Sequence, residues 1–360
     1  MTKKILTVAD FFCGAGGFSE GFNKNGFKVI FGLDNWSLAK ENYELNHSDC
    51  DFVLMDILNL DSVEKIERIV PDTDVIIGSP PRISSSNIIN SGNVGEECGL
   101  KLIKAFLRIV AWKIKKGSCK YWVLENFPNC ENYIKDYYTW DDLDLPGGEG
   151  VALVVKQKNI LNTAEYGTPQ IRKRFVCGDF VLPEKTHEKE DSWINISHVQ
   201  KSLTNPLSIK KPFSVIDPVY GFYLSSEKLT DHFYDSTLTD VELKSMKTLK
   251  EEDVKEKIGF FTENISKPCR QILNTMGMNM GESLVLKNIN QTNDVEYRLP
   301  TIRETASFMS VPITYQFKGS IKEKYELIGN VVCCKLAGAL AKAILKKELI
   351  KKEILKPLEV

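Results

Sequence analysis

The sequence has no excess of charge of either sign. Its 360 residues include 47 Lys and Arg against 48 Asp and Glu, which gives a formal net charge of −1. A protein that binds nucleic acid over its whole exterior carries a strong basic excess, so any nucleic-acid surface of this chain has to be a local cleft. The length is sufficient for one large core and a second, smaller module.

Metal-binding cysteine pairs and long hydrophobic runs are also missing. None of the nine cysteines forms a C-x-x-C pair, so we expect small buried hydrophobic cysteines in a reducing compartment, and no metal site. No stretch approaches the roughly 20 apolar residues that cross a bilayer. The opening MTKKILTVADFF predicts a first strand rather than a signal peptide. These absences predict a cytoplasmic protein without a membrane partner.

Short apolar runs alternate with helical patterns over the first half of the chain. Because acids stand at or near several strand ends, this alternation predicts an α/β fold with a doubly wound, mostly parallel sheet. Ligands of such sheets bind beyond the carboxyl ends of the strands. Strands are predicted at 5–12, 27–33, 51–55, 74–77 and 121–126, and helices at about 37–46, 62–70 and 100–116.

The strand–helix alternation stops near residue 185, where the charged stretch EKTHEKEDS forms a loop-like joint. The sequence shows no regular strand or helix pattern from there to about 295. Two helices are predicted after it. The first covers 300–310 and begins with Pro-Thr, which could cap it, and the second covers 326–348. The predicted division is a first domain over 1–184, a smaller domain over 185–296, and a C-terminal segment over 297–360 that returns to the first.

A glycine-rich loop, DFFCGAGGF, joins the first strand to a helix. Its glycines allow the backbone to approach a ligand closely, although a plain tight turn is the alternative, because the six-residue dinucleotide fingerprint is absent. Asp34, at the end of the next strand, could accept both hydroxyls of a ribose. Trp36 offers a ring face to an adenine, and Asp56 an acceptor to an exocyclic amine. These groups suggest an adenosine cofactor, and no lysine follows the glycines to bind a triphosphate.

Six motifs then occur in order: DFFCGAGGFSEGF, GSPP, LENFPN, QIRKRF, RLPTIRETASFM and YELIGNVV. Together they resemble the ordered motifs of the DNA (cytosine-5) methyltransferases, over roughly 5–180 and 297–348. Residues 185–295 carry no general family motif, as is typical of the family's variable target-recognition domain. The resemblance implies S-adenosyl-L-methionine as cofactor, bound by Phe12, Gly14, Gly16, Asp34, Trp36, Asp56, Ile57, Pro80, Leu100 and Asn330.

The resemblance also implies covalent catalysis on a cytosine that has been flipped out of the duplex. In the family a thiolate adds to C6 of the base, and C5 then accepts the methyl group. Glu125 would hydrogen-bond the base N3 and exocyclic amine, and Arg172 and Arg174 would bring positive charge to the base O2 and the site wall. An ordinary strand-end acid and ordinary surface arginines are the alternative interpretations.

The residue after Pro-Pro departs from the family pattern. The family has its cysteine nucleophile there, whereas this chain has Arg82, whose guanidinium has no lone pair to offer. Neighbouring serines and Cys98 are displaced from the position, and a misplaced nucleophile loses most of its rate. We therefore predict a chain that is inactive or strongly impaired, with Arg82 facing Glu125 in a salt bridge. The loop over 82–99, with Gly92, Gly95 and Gly99, is the expected lid.

Three functions stay open. The first is a modification methyltransferase of a bacterial restriction system, a monomer that takes double-stranded DNA in a cleft between the domains, with a cognate endonuclease that forms no stable complex with it. The second is a non-catalytic DNA-binding relative or partner subunit, and the third is a tRNA cytosine-5 methyltransferase. Lys210, Lys211 and the lysines around 244–257 are either phosphate contacts or a solvated face.

Overall fold

A computed structural model describes residues 4–81, 94–206, 211–233, 264–274, 286–289 and 295–354. The first half of the chain forms β1 (Thr7–Phe11), α1 (Gly17–Asn23), β2 (Lys28–Asp34), α2 (Ser37–Asn46), β3 (Asp51–Leu54), α3 (Val63–Ile69), β4 (Val75–Gly78), α4 (Val94–Lys115) and β5 (Tyr121–Asn126). Next come β6 (Tyr137–Thr139), β7 (Val151–Val154), β8 (Gln157–Asn162) and β9 (Lys173–Gly178). The remainder forms α5 (Ile196–Leu203), β10 (Ser214–Ile216), β11 (Tyr223–Ser225), β12 (Leu286–Ile289), β13 (Val295–Arg298), α6 (Ile302–Phe308), α7 (Ile321–Asn330) and α8 (Cys334–Ile354).

Seven of these strands form one sheet, in the order β3-β2-β1-β4-β5-β9-β8. The first five are parallel, and β9 is antiparallel to both of its neighbours. This confirms the predicted doubly wound, mostly parallel sheet. The strand order reverses at β1, so the loops after β1 and β4 border the crevice in which ligands of such sheets bind.

The central strands are buried along their whole length, as continuous apolar runs predict for a parallel sheet covered on both faces. Phe106 of α4 packs against Phe11 of β1, with ring centroids 6.0 Å apart. Its ring also fills the space where a side chain at Gly78 would begin, since an added Cβ would lie 2.5 Å from it. Glycine at the end of β4 therefore lets α4 pack directly onto the strand that leads into the Pro-Pro loop.

Helix α4 begins at Val94 rather than near residue 100, so part of the predicted lid is helical. Gly95 and Gly99 lie within the helix, and the expectation that they belong to a lid loop is wrong. An exposed ion pair between Glu97 and Lys101, 2.7 Å apart, lies on the early turns of this helix. Residues 82–93, the rest of the predicted lid, lie outside the described residues.

The helix predicted over 326–348 is two helices, α7 and α8. Arg172 Nη2 donates to the Gly329 carbonyl oxygen at 3.0 Å, and an uninterrupted helix would require that oxygen to accept from the backbone of residue 333. Gly329 also lies against the backbone of Asn274, because an added Cβ would be 2.5 Å from its Cα. These tertiary contacts lie in the last turn of α7, and α8 begins at Cys334.

Contacts divide the chain into two units. The first comprises Met1–Asn162, Lys173–Lys185 and Leu336–Val360, and the second comprises Thr163–Arg172 and Thr186–Lys335. Residues 297–335 therefore group with the second unit, whereas the sequence analysis expects them to return to the first domain. One reason is that Arg303 donates to the carbonyl oxygens of Thr230 and Tyr315, at 3.1 and 2.6 Å, within that unit. The predicted domain boundaries stay a prediction.

The segment Ile321–Lys351, which contains α7 and most of α8, is long and apolar enough by composition to cross a membrane, which the sequence analysis did not expect. However, 78% of its most apolar window is buried inside the structure. Burial of this kind is typical of a core helix.

A buried ion pair organises the motif RLPTIRET in the second unit. Arg298 Nη1 and Nη2 donate to the two carboxylate oxygens of Glu304 at 2.6 and 2.7 Å, and both side chains are fully buried. The same carboxylate accepts the Thr301 N–H, and Thr301 Oγ1 accepts the Glu304 N–H, which closes a capping box and confirms the predicted cap. Although burial opposes ionisation, Arg298 lowers the pKa of Glu304 below its ordinary value.

Loss of this carboxylate should strongly destabilise the chain. Glu304→Ala leaves the Arg298 guanidinium buried and uncompensated, at a cost of about 3–5 kcal/mol, measurable as a lower midpoint of thermal unfolding by circular dichroism. Glu97→Ala, which removes the carboxylate of an exposed pair on α4, is the control and should leave the midpoint unchanged. Equal midpoints for the two variants would contradict this assignment.

Candidate active site

Glu125 lies buried at the end of β5, and two donors from other elements hold its carboxylate. Ser79 Oγ donates to Oε2 at 2.6 Å, and Arg174 Nε lies 3.1 Å from Oε1. Strand register explains both contacts. Gly78 on β4 is paired with Leu124 on β5, which places Ser79 beside Glu125. Glu125 is in turn paired with Val176 on β9, two residues from Arg174. The site thus combines an acid, a hydroxyl and a cation from three neighbouring elements.

The Arg174 guanidinium is itself fixed in place. It lies 4.1 Å from the ring centroid of Phe127, and its Nη1 donates to the Lys173 carbonyl oxygen at 2.7 Å. Its side chain is 3% exposed and that of Glu125 is 6% exposed. Two opposite charges so fully withdrawn from water compensate each other only because their geometry is close. The structure therefore brings together two of the predicted catalytic residues, Glu125 and Arg174.

The chain that leads into the Pro-Pro loop is fixed on both sides. Asn126 Nδ2 donates to the Pro80 carbonyl oxygen at 2.9 Å, and the Ser79 N–H donates to the Phe11 carbonyl oxygen at 3.2 Å. Pro80 is buried. Arg82 follows two residues later and lies outside the described residues, so its salt bridge with Glu125 stays a prediction.

The buried cysteines of the first unit have the properties of poor nucleophiles. Burial raises the pKa of the Cys130 and Cys119 thiols to about 12 and that of Cys50 to about 11. Burial also raises the pKa of Cys13 and Cys177 well above the usual value. A reactive cysteine needs a lowered pKa, so these five thiols remain protonated at neutral pH.

The glycine loop after β1 is held open by Asp34. The Gly14 N–H donates to Asp34 Oδ2 at 2.9 Å, and the Trp36 N–H donates to Oδ1 at 3.0 Å. Burial raises the pKa of Asp34, and these donors partly oppose that rise. Gly14 and Gly16 have φ values of +52° and +90°, a region that favours glycine. A Cβ at Gly14 would meet no described atom within 4 Å, so the loop borders open space.

The other predicted cofactor residues of the first unit lie at or near neighbouring strand ends or on α4. Asp56 Oδ1 accepts the Leu58 N–H at 2.9 Å and caps a short 3-10 helix, Ile57–Asn59. Ile57 is buried, whereas Phe12, Trp36 and Leu100 are half-buried. An acceptor for ribose hydroxyls, an aromatic face and an apolar wall are the groups that an adenosine requires. The residues fit the cofactor, and their individual roles stay predictions.

Arg172 and Asn330 belong to the second unit. Arg172 is buried and donates from Nη1 and Nη2 to the carbonyl oxygens of Ile272 and Gly329, at 2.8 and 3.0 Å. Asn330 is the exposed last residue of α7. The described contacts of Arg172 are thus to backbone, and the catalytic role of Arg172 and the cofactor role of Asn330 stay predictions.

A buried polar cluster beneath the glycine loop escaped the sequence analysis. Ser19 Oγ donates to Asp10 Oδ2 at 2.6 Å and lies 2.7 Å from the Tyr43 hydroxyl, and His47 Nε2 lies 3.2 Å from the Gly16 carbonyl oxygen. Asp10 Oδ1 has no hydrogen-bond partner among the described residues. Burial raises the pKa of Asp10 to about 7 and lowers that of His47 to about 4. Only the place of Asp10 at a strand end gave a signal; nothing local marks Tyr43 or His47.

The seven-stranded, mostly parallel sheet has the architecture of the S-adenosylmethionine-dependent methyltransferase fold. The model of the C-5 cytosine-specific DNA methylase family matches residues 6–346. The chain therefore belongs to this family of methyltransferases.

Curated relatives match over nearly the whole chain. The type II methyltransferase M.MthTI of Methanothermobacter thermautotrophicus is 25% identical, over 96% of this chain and 98% of its own length. The type II methyltransferase M1.HphI of Haemophilus parahaemolyticus is 25% identical, over 95% and 87%.

Solved structures share the fold. One described as a prophage-encoded DNA modification methyltransferase (E. coli) has a TM-score of 0.62 at 18% identity, over 95% of this chain and 99% of that one. The structure of a Spodoptera frugiperda DNMT2 variant has a TM-score of 0.57 at 16% identity, over 94% and 99%.

Titration of Asp10 should destabilise the fold as pH rises. The pKa of Asp10 in the folded chain, about 7, exceeds the ordinary value of 3.8. The stability that the protonated Asp10 contributes is therefore fully present below pH 3.8 and is lost as the pH rises through 7. Asp10→Asn should therefore gain stability relative to the unsubstituted chain by up to about 1.4 kcal/mol per pH unit between those values. Denaturant unfolding across pH measures this difference.

His47 provides the control of opposite sign. Its pKa is lowered from 6.5 to about 4, so its protonation destabilises the fold as pH falls through that range. The stability that His47→Gln gains over the unsubstituted chain should therefore grow as the pH falls, whereas the gain from Asp10→Asn grows as the pH rises. Parallel pH profiles for the unsubstituted chain and both variants would contradict the two assignments.

Removal of the Asp34 carboxylate should weaken cofactor binding. Asp34→Ala frees the Gly14 N–H and removes the predicted ribose acceptor, so we expect affinity for S-adenosylhomocysteine to fall by at least about tenfold. Isothermal titration calorimetry on the chain as written measures this without catalysis. Asp51→Ala, a change of an exposed acid on β3, is the control, and equal affinity of the two variants would contradict the role of Asp34.

Proposed function

We propose that this chain is a DNA cytosine-5 methyltransferase of the modification type that accompanies restriction enzymes, in a form that lacks its nucleophile. The observation that carries the proposal is the Glu125 carboxylate, buried and held by Ser79 and Arg174 beside the turn that leads to position 82. The names of the type II relatives support the restriction-modification setting.

The residues present suit the stabilisation of an activated cytosine. A base flipped out of duplex DNA would place its N3 and exocyclic amine against Glu125, and its O2 within the field of Arg174. S-adenosylmethionine supplies an electrophilic methyl group for C5. A thiolate at position 82 would form a bond to C6 and make C5 nucleophilic, and a base would then take the C5 proton while the thiolate leaves.

Arg82 cannot begin this reaction, because a guanidinium is protonated at physiological pH and has no lone pair. The described contacts of Glu125 also bear on what a cation at position 82 would do. Arg174 already pairs with this carboxylate, so the predicted salt bridge with Arg82 would give Glu125 two cationic partners. We infer that the chain as written binds cofactor and DNA but transfers methyl groups poorly or not at all.

The setting of the protein completes the proposal. We expect a cytoplasmic bacterial monomer that acts on double-stranded DNA and shares a restriction system with an endonuclease without forming a stable complex with it. Arg82 itself favours a second candidate, a non-catalytic DNA-binding relative or partner subunit.

Arg82→Cys tests the proposal. This variant should transfer tritiated methyl groups from S-adenosylmethionine to unmethylated DNA at least about a thousandfold faster than the chain as written. It should also form a covalent adduct with DNA containing 5-fluorocytosine, because fluorine cannot leave C5 as a proton does.

Arg82→Ala is the matched control, since it removes the guanidinium without supplying a thiol. It should stay inactive, which separates obstruction of the pocket from absence of a nucleophile. Robust turnover by the chain as written would overturn the proposal. Inactivity of Arg82→Cys with intact DNA binding would favour the non-catalytic relative, and transfer to tRNA alone would favour an RNA substrate.

A further inference from the structure

Ser79 is fixed more firmly than a loop serine usually is. Its N–H donates to the Phe11 carbonyl oxygen at 3.2 Å, which ties its backbone to β1, and its hydroxyl donates to Glu125 Oε2 at 2.6 Å. The next residue, Pro80, is held by Asn126 at 2.9 Å. The hydroxyl is therefore presented to Glu125 by backbone that two other strand segments hold.

The two Glu125 oxygens have different holders. Arg174 Nε lies 3.1 Å from Oε1, and the guanidinium stays in place through the Phe127 ring and the Lys173 carbonyl oxygen. Among the described residues, the hydrogen bond to Oε2 comes from the Ser79 hydroxyl. A glutamate side chain has several rotatable bonds, so a single anchored oxygen leaves the other free to turn.

We propose that Ser79 is a positioning residue that fixes the orientation of the Glu125 carboxylate for the flipped base, an inference that rests on the proposed function. A carboxylate oxygen has two acceptor positions, so Oε2 can keep the Ser79 hydroxyl and accept a hydrogen bond from the base. Groups oriented before the substrate arrives need no reorganisation during the reaction. Ser79 touches neither base nor cofactor in this role and acts through Glu125.

The test uses Arg82→Cys as the active background. Adding Ser79→Ala should lower kcat for methyl transfer to unmethylated DNA about 10- to 100-fold and leave KM for S-adenosylmethionine unchanged. Ser79→Thr keeps the hydroxyl and should restore most of kcat.

Ser118→Ala is the matched control. Ser118 lies before β5, and its hydroxyl donates to the Lys113 carbonyl oxygen at 3.2 Å, so this variant also loses one hydrogen bond but not one to Glu125. It should leave kcat unchanged. If Arg82→Cys is active and Ser79→Ala does not lower kcat, the positioning role is overturned while the proposed function stands.

A double-mutant cycle in the chain as written tests the contact without catalysis. Ser79→Ala and Glu125→Gln are made singly and together, and thermal midpoints are compared. A hydroxyl bonded to a charged carboxylate should give a coupling of about 1–2 °C, because Ser79→Ala costs less once the charge is gone. Additive changes in the midpoint would overturn the Ser79 proposal, whether or not Arg82→Cys is active. Inactivity of Arg82→Cys would count against the proposed function instead.

Discussion

The buried pair of Glu125 and Arg174 is the interaction on which the candidate site depends, and the one reversed strand of the main sheet makes it possible. In a parallel sheet all strands end at the same edge, so no strand can begin there. Because β9 runs antiparallel to β5, its first residues lie beside the last residues of β5. A cation thereby reaches the edge where an acid already ends a strand. Close pairing requires Gly178, where an added Cβ would lie 2.1 Å from the Trp122 carbonyl oxygen.

The cofactor half of the site does not depend on the residue at position 82. Asp34 holds the glycine loop through the Gly14 N–H, and His47 lies against the Gly16 carbonyl oxygen from below. Neither contact involves the segment that follows Pro81. If position 82 holds the nucleophile of the proposed reaction, Arg82 would remove the first chemical step without touching these contacts of the glycine loop, so the proposal predicts that binding and catalysis can be measured separately.

Sequence predicted the sheet, because strand periodicity and strand-end acids are local signals. The family resemblance singled out Glu125 and Arg174 as site residues, and the structure shows them in contact, a pairing that the sequence analysis did not predict. It did not predict the break between α7 and α8, where Gly329 accepts a hydrogen bond from Arg172, more than 150 residues away in sequence. Nor did it predict the Ser79 contact, since a serine before Pro-Pro reads as part of a turn until strand register places it beside Glu125.

The motif QIRKR shows how two arginines of one segment acquire different physical roles. The chain passes from the second unit to the first between Arg172 and Lys173. Before that point, Arg172 donates to the backbone carbonyl oxygens of Ile272 and Gly329, which are neutral acceptors, and so joins the two segments that carry them. On the other side Arg174 faces a carboxylate, where its charge is what matters. Lysine could replace the charge of Arg174 but not the forked donors by which Arg172 joins two separate carbonyls, so spacing in the motif alone could not assign the roles.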